Sequence, residues 1–153
     1  LGLSLCDLCD MSAESSASTH VVFSLAGSLP SSVRELELGF GAPSGYTRDI
    51  SPEASEALGK AWPEGLERLD LNLLGCSGLR THGLRILVRQ IPRTLTRLML
   101  NVGRCDLGAE SADVLAEAIR RAPLLTSLSL NLWSAELGDS GVAALVQALP
   151  RGL

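Results

Sequence analysis

The stretch that decides the fold is LTSLSLNLWSAELGDSGVAALVQALP, residues 125–150. From Ser127 to Leu132, polar and apolar side chains alternate with a period of two, which is typical of a strand. After a short polar turn that reaches Leu137, apolar residues recur with helical spacing between Val142 and Leu149. The segment therefore predicts one strand, one turn and one helix that ends at Pro150.

The same strand pattern occurs along most of the chain. Its full copies begin at Val33, Leu66, Leu95 and Leu125, and these starts are separated by 33, 29 and 30 residues. A period of that size is typical of a solenoid, in which each unit stacks on its neighbour. With a shortened copy at Leu3, we expect one array of about four and a half units. Their bounds are 3–30, 33–63, 66–92, 95–123 and 125–150.

Each predicted strand is followed by a predicted helix that ends at a proline, since proline cannot continue the helical hydrogen-bond ladder. The prolines are Pro30, Pro63, Pro92, Pro123 and Pro150. Each helix carries an apolar stripe on one face. The stripes are Val22, Leu25 and Leu29; Leu58 and Trp62; Leu84, Leu87, Val88 and Ile91; Leu115, Ala118, Ile119 and Ala122; and Val142, Leu145, Val146 and Leu149. The second helix is predicted to start at Ser51-Pro52-Glu53, where the hydroxyl, the proline and the acid each favour a helix N-terminus.

The LxxLxL strand, the Leu-Gly turn and the helix ending at proline resemble the leucine-rich repeats of the ribonuclease-inhibitor type. The resemblance spans essentially the whole chain. It implies an α/β solenoid of horseshoe shape, with parallel strands on the concave face and helices on the convex face. In that family a Cys or Asn three residues after the last strand leucine satisfies backbone groups in the turn. Here Cys76 and Cys105 follow Leu71 and Leu100 by five residues, so we expect each strand to be two residues longer.

The polar residues between the leucines are the candidate binding residues, because side chains alternate across a strand and these point away from the core. Solenoids meet partners through such extended concave faces. For any single residue, a merely solvated surface is the alternative. The candidates are Glu35, Glu37, Gly39, Arg68, Asp70, Asn72, Arg97, Met99, Asn101, Ser127, Ser129 and Asn131. We expect the three asparagines to form a ladder of side-chain amides that stabilises neighbouring strands.

A second candidate contact site is the loop that follows the second predicted strand. Its glycines, between Gly39 and Gly45, do not match a phosphate-binding loop, because Pro43 removes a donor and the helix begins only after Ser51. We expect an enlarged turn from which Tyr46 and Arg48 project toward a partner, since insertions in solenoids often serve recognition.

The composition narrows the function further. A net charge of −4 gives no reason to expect nucleic acid or an anionic membrane as partner, and no apolar run reaches the roughly 20 residues that span a bilayer. Cys6 and Cys9 have CxxC spacing, but no second ligand pair accompanies them, so no metal site is predicted. Four cysteines without an Asn-x-Ser/Thr glycosylation site favour an intracellular location. Two histidines on different helices support no catalytic triad.

The sequence therefore predicts a protein–protein interaction module without a catalytic centre or a cofactor. One alternative is a regulatory module, because similar repeats occur in Ran GTPase-activating proteins and in the sensor parts of innate immune receptors; Arg48 or Arg104 would then be candidate loop arginines. A structural spacer is the other alternative. Both ends of the chain match parts of repeat units, so we expect further repeats of the same chain on either side. Lateral ion pairs are expected where the arginines of the third helix face the acids of the fourth.

Overall fold

The computed structural model describes residues 1–5, 15–42, 50–151 and 153. Strands and helices alternate along this part of the chain. The strands are β1 (Gly2–Leu5), β2 (Glu35–Gly39), β3 (Arg68–Asn72), β4 (Arg97–Asn101) and β5 (Ser127–Asn131). The helices are α1 (Ser15–Ala26), α2 (Pro52–Lys60), α3 (Arg80–Arg89), α4 (Ser111–Arg121) and α5 (Gly138–Ala148).

The five strands form one parallel sheet in the order β1-β2-β3-β4-β5. Each strand pairs with the next without a register shift, so that Leu36 lies opposite Leu69 and Leu69 opposite Leu98. Each helix likewise packs against the helix that follows it in the chain. This arrangement confirms the prediction of an α/β protein built from repeating strand–helix units.

Leucines on one side of the sheet and apolar residues on the helices form a continuous core. Leu69 and Leu98 are 2% and 3% exposed, and Leu66 and Leu95, at the predicted starts of their units, are fully buried. The predicted stripes of α3 and α4 are buried, and so are Leu58 and Trp62 in the α2 unit. Burial of a leucine in such a core contributes about 1.5–3 kcal/mol.

The last unit departs from the predicted burial. Val142 and Val146 are 52% and 62% exposed, and Leu149 is 43% exposed, although the helical pattern predicts one buried stripe. Leu145 is half-buried, as the contact of α5 with α4 requires. In the described part of the chain, α5 packs against only one other helix, so the opposite side of its apolar stripe faces solvent.

The helices end two to four residues before the predicted prolines. For example, α3 ends at Arg89 and α5 at Ala148. The predicted start of α2 is confirmed, since the Ser51 hydroxyl oxygen accepts a hydrogen bond from the Ala54 backbone N–H at 3.2 Å. Hydrogen bonds from its own backbone N–H and from Ser51 hold the pKa of Glu53 below its ordinary value. These contacts satisfy the first backbone donors of the helix.

Three strands end in the same way. The last residues of β3, β4 and β5 are Asn72, Asn101 and Asn131. The hydrogen-bond ladder continues one residue further, because the backbone N–H of Leu73 donates to the Asn101 carbonyl at 2.8 Å and that of Val102 to the Asn131 carbonyl at 3.0 Å. The strands thus extend one residue past the last leucine of the LxxLxL pattern, and the hydrogen-bond ladder includes the second of the two additional residues that were expected.

A left-handed backbone position follows each of these strand ends. Gly75, Arg104 and Ser134, each three residues after the asparagine, have φ values of 75°, 56° and 62°. Glycine adopts this conformation at little cost, whereas arginine and serine are strained in it by about 1–2 kcal/mol. The sharp turn directs the chain from the sheet toward the helix layer.

The buried cysteines stabilise the same turns. The Cys105 thiol donates to the Leu73 carbonyl at 3.0 Å, and the Cys76 thiol donates to the Phe40 carbonyl at 3.5 Å. Each thiol thus links its turn to the preceding unit. Both cysteines are buried, at 0% and 1% exposure. Burial raises the pKa of the Cys105 thiol to about 11.

The expected ion pair between α3 and α4 is present. The Arg85 guanidinium lies 3.5 Å from the Glu110 carboxylate, and both groups are partly exposed to solvent. Such a pair contributes about 0–1 kcal/mol. A second exposed pair, Lys60 with Glu56, lies within one helix of the array at a distance of 2.6 Å.

Candidate functional site

The candidate binding residues of the strands share one side of the sheet, which we call the strand face. Its side chains form three rows that cross the strands, because the parallel pairing has no shift of register. The first row is Gly2, Glu35, Arg68, Arg97 and Ser127; the second is Ser4, Glu37, Asp70, Met99 and Ser129; the third is Gly39, Asn72, Asn101 and Asn131.

The first row is partly neutralised by its own charges. Arg68 Nη1 lies 3.2 Å from Glu35 Oε1, and both side chains are 51% exposed. Because solvent screens this pair, it contributes about 0–1 kcal/mol. Arg97, on the next strand, forms no ion pair within the described ranges. The first row therefore offers one arginine that is available to an acidic group.

The second row places two acids beside each other. Glu37 lies opposite Asp70 in the pairing of β2 with β3. Burial and the negative charge of Glu37 raise the pKa of Asp70 above its ordinary value. The Ser4 hydroxyl donates to Glu37 Oε2 at 2.6 Å. Like charges directly opposite each other on neighbouring strands repel, so the pair Glu37 and Asp70 destabilises the folded chain.

Met99 continues the second row beyond Asp70. It lies directly opposite Asp70 in the pairing of β3 with β4, and its side chain is 42% exposed. The leucines before and after it, Leu98 and Leu100, are both 3% exposed. An exposed thioether among polar groups is a flexible apolar contact, which is how methionine is often used at binding surfaces.

The asparagine side chains of the third row form hydrogen bonds with backbone N–H groups. The side-chain oxygens of Asn72, Asn101 and Asn131 accept hydrogen bonds from the N–H groups of Leu74, Gly103 and Trp133 at 3.1, 3.3 and 3.1 Å. Each asparagine thus closes a local turn of the kind that Asn favours. No hydrogen bond joins one amide to the next in the part of the chain that is described. The predicted amide ladder is therefore wrong, because the turn N–H groups are the nearer partners.

Two shallow depressions on the strand face are lined by described residues. The larger has a volume of about 370 Å³ and is lined by residues of the first two rows on β1 to β4, including Glu37, Asp70 and Met99. The smaller has about 230 Å³ and lies beside the asparagines. Asp70 and Met99 line both depressions. The two neighbours therefore occupy the middle of the strand face.

The exposed Trp133 at the edge of the strand face was not among the residues predicted from the sequence. It follows β5 and is 63% exposed, and the Arg104 guanidinium carbon lies 6.0 Å from the centre of its indole ring. That distance is at the outer limit of a cation–π contact. The alternation beyond Asn131 contained the signal, since it assigns position 133 to the outward side.

The loop candidates cannot be placed. Tyr46 and Arg48 lie outside the described residues, as do Cys6 and Cys9. Within the described ranges, no group of three or more His, Cys, Asp or Glu side chains is arranged to hold a metal ion. None of the described helices combines the length and the apolar character that crossing a membrane requires.

No protein-family model matches the chain, and no curated protein matches it either. The geometry of the strand face therefore carries the functional interpretation. This face brings together all the strand residues predicted from the sequence, whether charged, apolar or amide-bearing.

Proposed function

We propose that the chain is part of a leucine-rich-repeat horseshoe and binds another protein through the strand face, which forms its concave side. The repeating strand–turn–helix unit, the unshifted parallel sheet and the cysteines that close the turns support the repeat assignment. Extended faces of this kind bind partners in solenoids. The buried thiols of Cys76 and Cys105 support an intracellular location.

The observation that carries the proposal is the exposed Met99, which lies opposite Asp70 and lines both adjoining depressions. A central apolar contact with a polar rim is typical of protein–protein interfaces. The charged residues of the face are three acids and two arginines: Glu35, Glu37, Asp70, Arg68 and Arg97. That balance of charges favours a protein as the partner, because binding of nucleic acid needs a predominantly basic surface.

Photo-crosslinking from single positions tests the proposal. Random 12-residue peptides displayed on phage are selected against the folded chain, and enriched peptides are synthesised. A photoreactive phenylalanine analogue is then placed at Met99 or at Ser129, which both line the smaller depression. Crosslinking of the peptides from these two positions is expected, because both side chains face the bound partner.

The control position is Glu117, which is exposed on α4 in the helix layer. The same analogue there is expected to give background crosslinking only. If no peptide is enriched, or if the enriched peptides crosslink from Glu117 and not from Met99 and Ser129, binding through the strand face is refuted.

A further inference from the structure

Among the described residues, none donates a hydrogen bond to the Asp70 carboxylate. Its side chain is half-buried, and no hydrogen bond or ion pair to it is found among the described residues. Arg68, two residues earlier on the same strand, is engaged by Glu35 at 3.2 Å. Burial and the charge of Glu37 both disfavour the ionised form of Asp70. A cation from outside would relieve both effects.

Met99 places an apolar side chain directly beside the negatively charged Asp70. The two residues are direct neighbours in the pairing of β3 with β4, and they are the residues that line both depressions. A ligand group that fits this pair needs a positive charge for Asp70 and an apolar portion for Met99. Lysine and arginine side chains combine a charged head with an aliphatic stem.

We propose that Asp70 and Met99 together receive a lysine or arginine side chain of the protein that binds the strand face. The cationic head lies against the Asp70 carboxylate, on the side of Glu37, and the aliphatic stem packs on Met99. This inference rests on the proposed function and adds the chemistry of the partner's central residue. Arg97 flanks the site on β4 and favours an acidic or carbonyl group next to that residue.

The local charge pattern supports a cation over an anion at this point. Glu37 and Asp70 face each other across β2 and β3, whereas the positive charge of Arg68 is engaged by Glu35. An acidic side chain on Asp70 would add a third like charge to the second row. A purely apolar side chain would cover Asp70 and leave a buried carboxylate without a partner, which is costly.

The test uses three phage libraries of 12-residue peptides that differ only in one central position, fixed as Arg, Leu or Glu. We expect the Arg library to yield binders about tenfold more often than the other two against the wild-type chain. Against Asp70→Asn, which keeps the shape of the side chain, we expect this preference to disappear. A synthetic Arg peptide is expected to bind Asp70→Asn about tenfold more weakly than wild type.

Asp113→Asn is the matched control, since it makes the same chemical change at an exposed position on α4. It is expected to keep the preference for Arg. A second measurement follows the Asp70 carboxyl by NMR: its pKa is expected to fall when the Arg peptide is added and to stay unchanged with the Glu peptide. Thermal unfolding of Asp70→Asn checks that the variant is folded, and its stability is expected to equal or exceed that of wild type.

The outcomes separate the two proposals. If peptides crosslink from Met99 but the Leu or Glu library gives the better binders, or if Asp70→Asn binds the Arg peptide as well as wild type does, the cation site is overturned while the strand face stands. If none of the three libraries yields a peptide that crosslinks from Met99, both proposals are overturned.

Discussion

Raising the pH is expected to destabilise the protein through Cys105. This side chain is 1% exposed, and its thiol donates to the Leu73 carbonyl at 3.0 Å. Burial raises its pKa from 9.0 to about 11, because the thiolate is disfavoured in an apolar environment. The folded chain thus holds the proton more tightly than the unfolded chain. The resulting stability is fully present below about pH 9 and is lost as the pH rises toward about 11.

The magnitude follows from the two pKa values. One pKa unit corresponds to about 1.4 kcal/mol, so the change from 9.0 to about 11 contributes about 3 kcal/mol to the free energy of unfolding. At about pH 10.5, about 2 kcal/mol of this contribution is lost. That is a substantial share of the roughly 5–15 kcal/mol by which a native domain is stable.

The assay is urea unfolding, followed by circular dichroism under reducing conditions, between about pH 8 and about pH 10.5. Wild type and Cys105→Ala are compared, so that groups titrating in both proteins cancel. At about pH 8 the variant is expected to be less stable by about 1–3 kcal/mol, because it loses packing and the thiol hydrogen bonds. This difference is expected to shrink by about 2 kcal/mol at the alkaline end.

A difference in stability that stays constant to within about 0.5 kcal/mol over this pH range would refute the reasoning. It would mean that the Cys105 thiolate is as well solvated in the folded chain as in the unfolded one. A difference that grows with pH would contradict the sign of the pKa change.

Three further predictions concern the backbone, the core and the apolar end. Ser134→Gly is expected to raise the free energy of unfolding by about 0.5–1 kcal/mol in urea titrations, because glycine relieves the left-handed conformation at φ 62°; a decrease would show that the turn is unstrained. Leu100→Ala, at a residue 3% exposed, should cost about 2–5 kcal/mol, whereas Leu149→Ala, at a residue 43% exposed, should cost less than about 1 kcal/mol; equal losses would contradict the burial pattern. Val142 and Val146, which are 52% and 62% exposed, are expected to drive concentration-dependent association in analytical ultracentrifugation, and the double change to Ser should reduce it; a wild-type monomer at all concentrations would oppose this.

The period of the sequence was sufficient to predict the sheet and most of the core. Alternating leucines such as Leu69 and Leu71 are buried because a parallel strand covered by helices hides the side that carries them. The unshifted register then follows, since equivalent leucines must meet in one core. Which residues point outward on the strand face was predictable for the same reason.

The contacts on the strand face could not be predicted from the sequence. The sequence shows that Glu35 and Arg68 point outward, but only the pairing of β2 with β3 brings their charged ends to 3.2 Å. The asparagines were assigned to one another because they recur, while the structure shows that each closes its own turn. Local backbone donors lie closer to such a side chain than a neighbouring strand does, and periodicity contains no information on that choice.

The left-handed conformation after the strands is predictable from residue type in only one of the three units. Gly75 marks the position by its residue type, whereas Arg104 and Ser134 adopt the same conformation without a residue that predicts it. Aligning the units reveals the equivalence, because all three lie at the same distance from the strand asparagine. In a repeat protein, a glycine that adopts the left-handed conformation in one unit thus indicates which residue of another unit is strained in that conformation.

The second row of the strand face connects stability with binding. The repulsion between Glu37 and Asp70 lowers the stability of the free chain, and the leucines beneath them must offset it. Because these leucines lie on the opposite side of the same strands, outward residues can change without disturbing the core. If a partner's cation occupies this position, it is attracted by both negative charges. The two acids that destabilise the free chain by repelling each other then stabilise the complex. Asp70→Asn should therefore lower the affinity for the partner without lowering the stability of the free chain, which a residue that only supports the fold would not do.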